Sequence, residues 1–136
     1  MSEPFERVWT VRFSDTDPFG IAHYPRIVDA VHETSDMFME EVGWPFWELS
    51  MERGFGLPIV EANFEFENPV EAGDRVTIEL APDPGDRSVT FDYVASRDDV
   101  VAFRVAEVRV CADRDGGGAR ELPENLREVL AAYADD

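Results

Sequence analysis

Lysine is missing altogether: all 12 basic residues of the 136-residue chain are arginine. They face 30 acids, for a formal net charge of −18. A surface this acidic repels a phosphate backbone, which argues against a nucleic-acid-binding protein. The acids are spread along the chain rather than gathered in a tail. With no lysine, that distribution fits a carboxylate surface that keeps a protein dissolved in strong salt, so a halophilic protein is expected. Cysteine is nearly absent as well. The single Cys111 permits no internal disulfide and offers no metal cluster. It sits in an alternating run and reads as a small core residue rather than a nucleophile. No apolar run approaches the roughly 20 residues of a membrane-spanning helix. The N-terminus shows no basic region followed by an apolar stretch, so no secretory signal is expected. These absences point to a cytoplasmic protein with neither membrane nor nucleic acid among its partners. No internal repeat or linker breaks the chain, and no metal is expected.

What is present suits one real core. Apolar residues make up 44% of the chain, and the length is that of a single domain, residues 1–136. Residues 5–13 alternate Phe5, Arg7, Trp9, Val11 and Phe13 against a second set, which predicts a strand. Between 25 and 42 the spacing turns to three and four: Ile27, Val28, Val31, Ser35, Phe38, Met39, Val42. That is an amphipathic helix of roughly 25 Å, closed by Gly43. Segment 44–57 packs Trp44, Phe46, Trp47, Met51, Phe55 and Leu57 into a short helix and loop. It is either a lid on the core or an aromatic wall for a ligand. Four strand-like runs follow, at 58–67, 74–81, 87–96 and 100–112, separated by turn-forming residues. The glycines at 116–118 lack the strand-to-helix setting of a phosphate loop and read as a flexible loop. A short helix over 123–133 ends the chain. One long helix against five antiparallel strands predicts a two-layer α+β domain.

The stretch 13–26, FSDTDPFGIAHYPR, holds the candidate chemistry. Asp15 and Asp17 close the first strand; Pro18 and Gly20 make a turn; Tyr24 and Pro25 open the helix. A carboxylate thus lies close to free amides at a helix N-terminus. Such an amide donates to a developing oxyanion, and the helix dipole adds to the effect. Carboxylate plus amide is a minimal acyl-transfer site. The competing interpretation is an Asx-type turn whose acids are solvated or capping.

This stretch resembles the hotdog-fold acyl-CoA thioesterases, in particular the 4-hydroxybenzoyl-CoA thioesterase branch. The matching residues are Asp15, Asp17, Pro18, Gly20, Ile21, Tyr24 and Pro25, continued by Gly43, Pro45, Trp47, Glu52, Arg53, Gly54, Pro58-Ile59-Val60, Asn63, Glu107 and Arg109-Val110. The resemblance implies a hotdog fold, a five-stranded antiparallel sheet wrapped around a long central helix. It implies hydrolysis of an acyl-CoA, an aryl-CoA such as hydroxybenzoyl-CoA, to free acid and CoA. Asp17 would be the catalytic carboxylate, as nucleophile or general base, and the Tyr24 backbone amide would polarise the thioester carbonyl. Asp15 would organise the turn. His32, Trp47, Leu57, Pro58 and Ile59 would meet the acyl group, and Arg87 and Ser88 the CoA. No separate cofactor is implied, since CoA is part of the substrate. The family forms homodimers or homotetramers with the substrate at the subunit interface. Three features depart from the pattern: His32 replaces an acid of the central helix, Leu57 stands where threonine is expected, and the basic cluster shrinks to Arg87. As a lone histidine on the flank of the apolar stripe, His32 also suits a purely structural role.

Two other functions compete. Hotdog hydratases and dehydratases carry Asp and His in D-x4-H spacing, whereas Asp17 and His23 are one residue too far apart. A non-catalytic acyl-CoA-binding protein would have no need of Asp17.

Overall fold

The longest apolar-polar alternations form the middle of one sheet. In the computed structural model, which describes residues 3–134, these are β4 (Arg75–Pro84), β5 (Ser88–Arg97) and β6 (Val100–Val110). Their inward faces bury Val76, Ile78, Leu80, Phe91, Tyr93, Phe103 and Val105. β1 (Phe5–Thr10) pairs antiparallel with β4, and β3 (Ile59–Phe66) with β6, so the sheet runs β1-β4-β5-β6-β3. The helix α1 (Tyr24–Glu41) lies against the inward face and buries Ile27, Val31, Phe38 and Met39. Arg7 of β1 fastens it, donating from Nε to Thr34 Oγ1 (3.0 Å) and from Nη2 to the Ala30 carbonyl (3.1 Å). This is the hotdog arrangement.

The remaining elements close the ends of the core. The helix α2 (Phe46–Glu52) buries Leu49. It leads into a two-residue strand β2 (Phe55–Gly56), which pairs with β7 (Ala112–Asp113). The last helix, α3 (Glu124–Ala131), buries Leu126 and Leu130.

Three strand ends differ by two residues or more from those expected, each for a local reason. The first strand ends at Thr10 rather than residue 13, and Phe13–Asp15 is a single 3-10 turn. Asp15 Oδ2 accepts the Arg12 amide at 2.8 Å, so a side chain competes with the ladder for the backbone. β4 runs on to Pro84, although Pro82 signals the end of a strand. Its partner β1 pairs only as far as Leu80, so Pro82 and Pro84 lie on a free flank where a missing donor costs nothing. The run 100–112 breaks after Val110, and β7 turns away to pair with β2.

Candidate active site

Residues 15–27 fold tightly on themselves. The Asp17 amide donates to the Ile21 carbonyl (3.0 Å), and its carbonyl accepts from the Gly20 amide (2.8 Å). Gly20 takes φ +80°, a conformation that a residue with Cβ resists. Asp17 Oδ1 accepts the Phe19 amide at 2.9 Å, so the Asx-type turn is present. It occupies one carboxylate oxygen only. The other, Oδ2, has the His23 imidazole Nδ1 at 3.9 Å, and the side chain keeps 20% of its exposure. Asp15 differs. It is buried, with Oδ2 on the Arg12 amide, Oδ1 3.5 Å from Arg26, and its carbonyl accepting the His23 amide at 2.7 Å. Its oxygens hold the turn together, and it does not line the cleft beside Asp17.

α1 begins at Tyr24, one residue before the expected start, with Pro25 in its first turn. A first-turn amide has no acceptor within its own helix, and among the described residues the Tyr24 amide donates to none elsewhere. It therefore meets the requirement for an oxyanion donor.

Asp17 and Tyr24 both line one cleft of about 550 Å³, whose apolar walls include Ile27, Phe66, Val70 and Phe103. The far wall is set by a bulge. Ala95 pairs with Phe103 but Ser96 with Val101, leaving Ala102 unopposed. The Ala102 carbonyl accepts the amides of Glu67 and Asn68 at 2.8 and 3.0 Å, and Asn68 Nδ2 donates to the Val101 carbonyl at 2.8 Å. The turn after β3 is thus pinned over the cleft. The Ala22 amide donates to the Val70 carbonyl at 2.8 Å and joins that turn to the reactive one.

The other expected site residues lie elsewhere in the single chain, and none lines this cleft. His32 is exposed two turns further along α1, and Trp47 is exposed on α2. Leu57 is buried, while Pro58 and Ile59 are exposed at the start of β3. Arg87 is exposed in the β4–β5 turn, and Ser88, the first residue of β5, is half-buried. The sequence reading did not single out Phe66, Val70 and Phe103. Their apolar spacing marks them as core, and only the bulge brings them to the acid. Among the described residues, no three His, Cys, Asp or Glu side chains gather to hold a metal ion.

Residues 11–130 match the family model described as the thioesterase-like superfamily. The chain belongs to that superfamily. The 1,4-dihydroxy-2-naphthoyl-CoA hydrolase of Synechococcus elongatus is 29% identical over 133 residues, 96% of each chain. Among solved structures, the 4-hydroxybenzoyl-CoA thioesterase of Pseudomonas sp. strain CBS-3 is 28% identical with a TM-score of 0.84, covering 94% of this chain and 99% of that one. A gentisyl-coenzyme A thioesterase is 28% identical with a TM-score of 0.81, over 93% and 99%. The protein is a thioesterase with the hotdog fold.

Proposed function

We propose that this thioesterase hydrolyses an aryl-CoA thioester to the free acid and CoA. The observation that carries the proposal is one cleft lined by Asp17, whose carboxylate stays partly exposed, and by Tyr24, whose amide is uncommitted. The thioester carbonyl oxygen accepts from that amide. An Asp17 oxygen bonds to the carbonyl carbon, and the CoA thiolate leaves, giving a mixed anhydride. Water then cleaves the anhydride, releasing the acid and restoring Asp17. The alternative is water attack with Asp17 as base. The aryl preference is supported by the Phe66 and Phe103 walls and by the substrates for which the relatives are named.

The working unit is a homodimer or homotetramer in the cytoplasm, with no separate cofactor. β3 pairs on one side only, and Ile59, Val60 and Phe66 stand exposed on it, an edge that a second copy would cover. His32, Trp47, Leu57, Pro58 and Ile59 then reach the acyl group from the neighbouring copy, and Arg87 and Ser88 meet the CoA.

Thiol release over a panel of benzoyl, hydroxybenzoyl, phenylacetyl, dihydroxynaphthoyl and palmitoyl esters of CoA tests this. Asp17→Asn should lower kcat by on the order of 10³ or more; near-normal turnover would reject the assignment. Single turnover in ¹⁸O water places label in Asp17 for direct attack and only in the product acid for the water route. The Asp17–His23 approach is the one feature that suits a hydratase. Water addition to an enoyl-CoA without thiol release would select that activity instead.

A further inference from the structure

A charged cluster lies in the core, away from Asp17, and nothing in the reaction above uses it. Arg109 of β6 and Glu107 are each 5% exposed at the side chain, with Nη2 and Oε1 3.5 Å apart. Glu107 Oε1 also accepts the Tyr93 hydroxyl at 2.6 Å. Burial, with the Glu107 carboxylate beside it, pushes the Tyr93 hydroxyl well above its ordinary range, so it stays a donor. Phe46 and Phe91 stand 4.8 and 5.4 Å from the guanidinium. Its two outer nitrogens reach different elements: Nη1 donates to the Leu57 carbonyl at 3.0 Å and Nη2 to Ser35 Oγ at 3.3 Å. Ser35 Oγ in turn donates to the His32 carbonyl at 2.6 Å. Among the described residues Arg109 Nε has no hydrogen-bond partner.

Stability alone does not account for this cluster. Desolvating an ion pair costs several kcal/mol per charge, and well-packed apolar residues of the same volume often serve as well or better. What an apolar triad lacks is directed bonds. A guanidinium fork holds two acceptors at fixed separation. Here one bond fixes the backbone just before Pro58 and Ile59, and the other fixes the turn of α1 that carries His32.

We propose that Arg109 is a positioning residue that brackets the Leu57–Ile59 loop against the His32 turn of α1 and so fixes the surface offered to the acyl group. This rests on the aryl-CoA hydrolysis proposed above. Arg109 touches no reacting atom; it acts through Leu57, Ser35 and His32.

The test separates acyl contacts from CoA contacts. Wild type, Arg109→Lys and the apolar triple variant Tyr93→Phe/Glu107→Leu/Arg109→Met are compared. The measurements are kcat and KM for the fastest aryl-CoA ester and Ki for free CoA, which has no acyl group. A misplaced acyl wall should lower kcat/KM about tenfold or more in the triple variant, while Ki for CoA stays within about twofold. Arg109→Lys, which keeps the charge and loses the fork, should recover part of the loss. If kcat/KM and Ki worsen together, or if neither moves in a folded variant, the role is overturned. If the triple variant does not fold, Arg109→Lys and Ser35→Ala decide; an unchanged kcat/KM in both overturns the proposal. Wild type that releases no thiol from any ester refutes the aryl-CoA function itself, and that failure shows before any variant is made.

Discussion

Raising KCl from 0.1 to 1 M should stabilise this protein by about 3 kcal/mol, because its charges are screened more in the compact state than in the open one. A sphere with the 7754 Å² accessible surface has a radius of about 25 Å. Placing the net charge of −18 on it costs about 8 kcal/mol with a 10 Å screening length and about 3 kcal/mol with 3 Å. The unfolded chain, with a radius of gyration near 40 Å, carries the same charge at about 3 kcal/mol and then about 1 kcal/mol. The difference raises the melting temperature by roughly 10 °C for a domain of this length. Thermal melts in a KCl series measure it directly. Screening levels off near 1 M, whereas stabilisation by excluded salts keeps growing with concentration, so the shape of the curve identifies the cause. CoA is itself a polyanion, and KM should fall over the same range. A melting temperature that is flat, or highest in low salt, would refute the reasoning and with it the halophilic interpretation of the acidic surface.

Two further outcomes follow from single contacts. Phe66→Ala opens the cleft wall beside Asp17 and should lower kcat/KM about tenfold for ring-bearing esters with less effect on acetyl-CoA; an equal loss on both would show that the ring does not lie there. Asp74 accepts the Glu71 amide at 2.7 Å and Arg97 at 2.8 Å, and these bonds, the backbone one foremost, lower its pKa from the usual 3.8. The folded state then binds its proton less readily than the unfolded chain, so its contribution is complete above about pH 4–5 and fades as pH falls through the lowered value. Asp74→Asn should reduce the melting temperature at pH 7 and lose less than wild type between pH 5 and 3; parallel curves would contradict this.

Most of the architecture could be read from spacing. The change from period two to period three-and-four at Pro25 locates α1, and Gly43 closes it. The reactive turn is legible because Pro18, Gly20 and Pro25 each demand a particular backbone. What could not be read depends on register. Whether Pro82 ends β4 is decided by how far β1 reaches beside it, a pairing across the chain. The walls of the cleft depend on Ala102 being left out of the ladder, and no residue type announces a bulge. Likewise Arg109 reads as one member of an alternating strand until Leu57 and Ser35 are placed against it.

The β5–β6 hairpin has a further consequence, which concerns the cost of assembly. Asp98 and Asp99 join the strands in two residues, both at positive φ (50° and 65°), as a type I′ turn requires. Bringing β1 to β4 instead closes the chain across everything between Thr10 and Arg75. Closure entropy grows with the logarithm of that length, so the long connection costs about 3 kcal/mol more than the short one. The cheapest part of the sheet to form carries Phe91, Tyr93 and Phe103. A chain that has closed only this hairpin holds the centre of its core, yet of the residues that line the cleft it has only Phe103.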